Sequence, residues 1–205
     1  MVSSTVTEMV RRLNSLIEEQ SRERNRLQSG LQSQVVKTSI ATNLKFLADQ
    51  IAELEAQIQT HIDLHPDLKR DQELLVSIKG IGPRTASRIL GELPDIKRFD
   101  HSGQVVAYAG LSPQQHTSGS SVHKRTRLTK MGNQHIKTAL FFPALSAIRY
   151  NPIVKALASR LESRGKEKMV IVGAAMRKLL VLVYGILKSG QPFDPNYAPN
   201  IQGTA

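Results

Sequence analysis

Residues 116–134, HTSGSSVHKRTRLTKMGNQ, set the hydroxyls of Thr117, Ser118, Ser120 and Ser121 just ahead of four cations, Lys124, Arg125, Arg127 and Lys130. Two chemistries fit that pattern. A serine hydroxyl is a poor nucleophile until a base or an electrostatic field activates it, and no carboxylate stands nearby in sequence to orient a base. The cations could instead stabilise a pentacovalent phosphorus, as arginines do in phosphoryl transfer. The alternative is a polar loop whose cations grip phosphates and whose serines form no bond. His116, His123 and His135 could move protons, but their spacing fits no ligand pattern. Each reads more simply as a phosphate contact or a solvent-facing side chain.

The surrounding charge favours a polyanionic partner. The chain has 205 residues and a net charge of +11. Residues 1–100 carry 14 basic and 14 acidic side chains, whereas residues 101–205 carry 14 basic and 3 acidic ones. From His101 to Leu161 there is no acidic residue against eight basic ones. Such a self-repelling field is tolerated where a polyanion neutralises it. Nucleic acid leads as that partner, ahead of an anionic membrane and of ribosome-like packing on RNA. Cysteine is absent, which excludes disulfides and cysteine-held zinc and is compatible with a reducing compartment. No signal peptide is visible. The apolar stretch LLVLVYGIL (179–187) falls short of the ~20 residues that cross a bilayer, so a cytoplasmic protein without a membrane partner is expected.

A second group of residues could meet phosphate. In LLVSIKGIGPRTASRILGELP (74–94) an apolar helix runs to about Ile78, KGIGP turns, and a second helix begins. Gly80 and Gly82 permit a tight turn with positive φ and let the backbone approach a ligand closely. Pro83 suits the first helical position, and the free amides there, with the helix dipole, can bind a phosphate oxygen. Lys79, Arg84 and Arg88 surround the turn. The stretch resembles a helix-hairpin-helix motif, with Ile81 as its buried plug and the small Ala86 allowing close crossing. An ordinary helical corner without a ligand is the alternative.

The elements that must carry these residues read as mostly α-helical. Hydrophobic content is 40% with only 4% aromatics, so the C-terminal half should pack through Leu, Ile, Val and Ala. Residues 1–70 form a helical arm that bends near Gly30. Leu44, Leu47, Ile51, Leu54 and Ile58 make a heptad seam that an antiparallel hairpin or a coiled-coil dimer would use. The narrow stripe and charged flanks favour coiled-coil pairing with another chain, hence a homo-oligomer. His61, Asp63, His65 and Asp67 have metal-ligand types, but Pro66 ends the helix there and no third anchor is present; a solvated helix end is expected. Residues 71–193 form a helical domain. In it Ser102 caps a short helix ending near Gly110, Thr117–Ser121 is flexible, and Gly132 and Asn133 start a helix over 131–150 that carries Lys137. A further helix after Pro152 ends at Gly165, and the last helix holds Arg177 and Lys178 in its middle. Residues 194–205 are expected to be a disordered tail.

Taken in order, IKGIGPRTASRILGELPD, VVAYAGLSP, SGSSVHKR, KMGNQHIKTALF, SAIRYNP and MRKLLVLVYGIL resemble the C-terminal transposase domain of the insertion-sequence one-ten family. These are DEDD-type transposases related to the Piv DNA invertase, and the resemblance covers about residues 71–193. It implies DNA transposition or site-specific recombination, DNA as partner, a guide RNA in some members, and a nucleoid-associated bacterial or archaeal protein. It also implies a nucleophilic serine before a glycine in a segment ending Lys-Arg. Ser118 matches that position best, ahead of Ser120 and Ser121. Lys79, Gly80, Gly82, Arg84, Lys124, Arg125, Arg127, Lys130 and Lys137 are the expected DNA contacts. In the family a RuvC-like domain supplies four acidic residues that hold a divalent metal such as magnesium. No counterpart occurs in residues 1–70, so no metal site is expected in this chain, and catalysis by it alone would be incomplete. A non-catalytic nucleic-acid-binding remnant or regulator of an intact transposase is the rival reading, and a coiled-coil adaptor with an incidentally basic domain is a third.

Overall fold

A computed structural model describes residues 2–114, 117–118, 122–123, 127–128 and 131–196, with side chains for residues 4–112 and 131–196. The protein is mostly α. Its elements are α1 (Val2–Gln28), α2 (Gln34–Asp63), α3 (Pro66–Val76), α4 (Pro83–Glu92), a 3-10 turn (Ile96–Arg98) and α5 (Ser102–Tyr108). Four two-residue strands follow, β1 (Pro113–Gln114), β2 (Thr117–Ser118), β3 (Val122–His123) and β4 (Arg127–Leu128), then α6 (Gln134–Tyr150), α7 (Pro152–Ser163) and α8 (Lys168–Ser189). The chain divides into two compact units, Met1–Gln72 with Pro83–Asp95, and Glu73–Gly82 with Ile96–Ala205.

The first unit is built on a helical hairpin. Val6, Val10 and Leu13 of α1 meet Ile58 and Ile62 of α2, with Ile17, Ile51, Leu54 and Leu68 packed around them. The start of one helix thus meets the end of the other, and the pair is antiparallel. The reversal uses Gly30 at φ +82°, and Ser33 caps α2 by accepting from the Val36 amide. Much of the heptad seam on α2 is therefore filled by α1 of the same chain, since a short connection makes neighbouring helices antiparallel partners. Of the two arrangements open from the sequence, the intrachain hairpin is the one these residues make. At the far end α2 stops at Leu64, and Pro66 opens α3 instead of merely ending the arm.

Helix α4 belongs to this unit too. Gly91 lies so close to α1 that a Cβ there would stand 2.5 Å from Val10 Cγ2. Two buried polar networks accompany the contact. Asn14 Nδ2 donates to Glu92 Oε1 at 3.1 Å, while Asn14 Oδ1 accepts from Arg88 Nε at 3.0 Å and Nη2 at 2.8 Å. Gln72 Nε2 donates to Ser87 Oγ at 2.8 Å and to Gln59 Oε1 at 2.9 Å, and Gln59 Nε2 returns a bond to Gln72 Oε1. Buried polar groups left without partners would cost about 1–3 kcal/mol each, so this closure matters to stability.

The second unit packs α5, α6 and α7 on α8. α8 buries Ile171, Ala175, Leu179, Leu180, Val183 and Ile186. It is 22 residues long, more than the 179–187 stretch that the sequence brings forward, and by length and composition alone it could cross a membrane. Half of its apolar window is buried inside this unit. Tyr184 Oη donates to the Asp100 carbonyl at 2.8 Å and Lys188 Nζ to the Phe99 carbonyl at 3.1 Å, which ties the chain entering α5 to α8. Ser102 is the first residue of α5, not its cap. His101 takes the cap position without a side-chain bond, and Gln104 reaches back so that its Oε1 accepts from the Asp100 amide at 2.8 Å. Gln104 thus ties the chain ahead of the helix to its first turn, while the first-turn amides receive no side-chain cap.

Candidate nucleic-acid interface

The serine segment hangs from a neck made of backbone. α5 ends at Ala109, and Gly110 follows at φ +66°. A Cβ on Gly110 would overlap the Met131 carbonyl, and a Cβ on Gly132 (φ +100°) would stand 2.5 Å from the Gly110 amide nitrogen. The Asn133 amide donates to the Tyr108 carbonyl at 2.7 Å. Only residues without side chains allow two chain segments to pass this closely at positive φ. Asn133 then caps α6, its Oδ1 accepting from the amides of His135 and Ile136 at 2.9 and 3.1 Å. The two ends of segment 111–132 are thereby held together.

Above the neck the chain folds back on itself. β1 pairs antiparallel with β4, Pro113 opposite Leu128 and Gln114 opposite Arg127. β2 pairs antiparallel with β3, Thr117 opposite His123 and Ser118 opposite Val122. Sequence reasoning expects Thr117–Ser121 to be flexible, yet Thr117 and Ser118 are strand-paired; β-branched Thr117 and Val122 suit that state. Ser118 ends β2, and Arg127 begins β4. Ser120, Ser121, Lys124, Arg125 and Lys130 lie outside the described residues.

Lys137 sits at the neck itself. Its Nζ lies 3.2 Å from where a Gly110 Cβ would be. Burial there lowers its ammonium pKa from the usual lysine value. The first turn of α6 carries no acidic residue, so the helix amides and Lys137 present positive potential at one place.

The turn before α4 has a different character from the sequence expectation. Gly80 has φ +111°, and a Cβ on it would stand 2.9 Å from Ala147 Cβ of α6. Its lack of a side chain is thus required by packing inside the second unit. Gly82 is not in the positive-φ region and has open space around it. Ile81 is buried, as a plug requires. The fully buried Asn151 holds the turn, donating from Nδ2 to the Lys79 carbonyl at 3.2 Å while its Oδ1 accepts from the Ile153 and Val154 amides to cap α7. The Lys79 side chain is exposed. Arg84, in the first unit, is exposed and paired with Glu55 at 3.1 Å. Arg88 points away from any ligand role, into Asn14. Burial lowers its pKa, opposed by Glu55 and Glu92.

Among the described residues no group of three or more His, Cys, Asp or Glu could hold an ion. At the end of α2, His65 Nδ1 donates to the His61 carbonyl at 2.7 Å and the two rings stack 4.2 Å apart. His61 Nε2 is buried without a partner, so this helix end is less solvated than its composition implies.

Residues 72–159 match the model of the transposase IS116/IS110/IS902 family. The pilin gene-inverting protein of Moraxella bovis is 38% identical over 123 residues, which cover 59% of this chain and 38% of that protein. A putative transposase of Sinorhizobium fredii, y4rJ, is 36% identical over 124 residues, 57% of this chain and 30% of the relative. An insertion element IS110 protein of 43.6 kDa from Streptomyces coelicolor is 26% identical over 129 residues, 63% and 32% of the two chains. The chain therefore spans well under half the length of these curated relatives.

Proposed function

We propose that this chain is the DNA-handling part of a transposase or site-specific recombinase, with Ser118 as its nucleophile. The observation that carries the reading is the neck. It holds a serine-bearing, strand-paired segment on a scaffold whose residues 101–161 contain no acidic side chain. Lys79, Gly82, Arg127 and Lys137 supply phosphate contacts, together with Lys124, Arg125 and Lys130. Arg84, in the first unit, meets phosphate separately and in competition with Glu55. In the reaction Ser118 Oγ forms a bond to a DNA phosphorus as it loses its proton. The phosphorus–oxygen bond to one deoxyribose breaks, and that sugar leaves as a free hydroxyl after protonation. Cations facing the phosphoryl oxygens stabilise the extra charge of the transition state. The names of the relatives support recombination as the setting.

The test is to trap a covalent protein–DNA adduct on a suicide substrate, with divalent cation and a structured RNA supplied in separate arms. Wild type should form the adduct and Ser118→Ala should not. An adduct that persists in Ser118→Ala removes Ser118 as nucleophile. Duplex binding without any adduct in every arm leaves the non-catalytic reading. Affinity should fall steeply with salt, about a thousandfold or more between 50 and 200 mM for six or more phosphate contacts.

A further inference from the structure

α6 has a second face that its packing does not use. Ile136, Leu140, Ala144 and Ala147 are buried, while Thr138, Phe142, Leu145 and Arg149 are exposed. At about 100° per residue these four fall within about 60° of arc, so they form one stripe along the helix. Phe142 is 75% exposed and Tyr150, just beyond the stripe, 68%. Phe141 and Phe142 lie nearly perpendicular, with centroids 5.4 Å apart at 84°, and most of the Phe142 ring stays exposed.

The charge around this stripe limits what can cover it. The stripe lies inside the acid-free segment 101–161, where Arg149 and Lys155 stand on or just after α6. A second copy of the same face would bring Arg149 no carboxylate to pair with, since the stripe carries none. A polyanion that also offers flat apolar surfaces satisfies both demands. Stacked duplex DNA presents phosphates but hides its base faces, whereas unpaired DNA presents both.

We propose that the outer face of α6 holds locally opened or single-stranded DNA, one unstacked base lying on Phe142 and a neighbouring phosphate on Arg149. This rests on the DNA reading above and adds to it a preference for unpaired bases. Phosphate contacts elsewhere on the chain hold either form of DNA, whereas only an exposed base can use the phenyl ring.

The test uses the full chain with a single-stranded oligonucleotide carrying 2-aminopurine, and its fully paired duplex. Wild type should change the 2-aminopurine emission of the single strand. Phe142→Ala should weaken single-strand binding by about tenfold, within the range of one lost base–aromatic stack, and change duplex binding less than about twofold. Phe142→Tyr should restore the single-strand affinity and Phe142→Leu should not, with circular dichroism confirming unchanged helix content. The inference is overturned if Phe142→Ala leaves the single-strand signal intact, if leucine rescues as well as tyrosine, or if single-strand and duplex affinities fall together. A ribo-oligonucleotide bound more tightly than the deoxy strand would overturn the assignment to DNA. Failure of wild type to bind either DNA would sink the broader DNA reading as well, and is distinct from loss of the single-strand preference alone.

Discussion

The two units treat their polar side chains in opposite ways. In the first, Arg88, Asn14 and Glu92 close one network, Gln59, Gln72 and Ser87 close another, and Arg84 pairs with Glu55. In the second, cations stand along a stretch of 61 residues without one acidic neighbour in sequence. The first unit closes these polar groups on one another, whereas the second gathers its cations in one stretch of sequence. A net charge of +11 conceals this division; only its distribution along the chain reveals it.

The largest way to break the comparison lies at the neck. Gly110→Ala should destabilise by about 3 kcal/mol, combining a positive-φ penalty with backbone overlap. Gly30→Ala, at positive φ but with open space around it, should cost only about 1 kcal/mol. Urea unfolding of both variants checks this; equal losses would show that the neck adds nothing beyond φ. Asn14→Ala should cost about 2 kcal/mol, because it leaves the Arg88 guanidinium and the Glu92 carboxylate buried without that amide. Its thermal midpoint is the readout. Gly91→Ala should cost about 1–2 kcal/mol by pushing on Val10, and a double-mutant cycle with Val10→Ala should show that the two losses do not add.

A smaller effect concerns Asp71. Burial raises its carboxyl pKa above 3.8, with Arg70 opposing and Asp67 and Asp95 adding. The folded chain then holds this proton more tightly than the unfolded one, so the Asp71 contribution falls as pH rises from about 3.8 through the raised value. Asp71→Asn should remove that fall. Urea midpoints measured across the acid range for the two proteins would show the difference in slope, and identical slopes would refute it.

Local signals were legible in the sequence wherever the chain supplies its own cause. Gly30 marks the hairpin reversal, Asn133 starts α6, Pro152 opens α7 and Ile81 is the buried plug. What stayed hidden depends on partners far along the chain. Nothing near Gly80 announces Ala147 sixty-seven residues later, so the packing reason for its glycine stays hidden. Arg88 looks like a phosphate ligand until Asn14 is found beside it. Asn151 shows only as a cap before Pro152, while its second bond to Lys79 needs the tertiary fold. The neck shared this fate, because Gly110 and Gly132 each look like an ordinary helix boundary. The hydroxyl-rich segment was legible as chemistry but not as paired strand, since two-residue strands leave almost no periodicity.

The neck also has a consequence for how such a protein can diverge. The two ends of segment 111–132 meet at Gly110 and Gly132, so its chain closes over a short distance. Doubling its length would add only about 0.6 kcal/mol of closure entropy. Insertions, deletions or wholesale exchange between Leu111 and Met131 should therefore leave the helices around α8 standing. Selection can then rework this segment while the scaffold keeps its sequence.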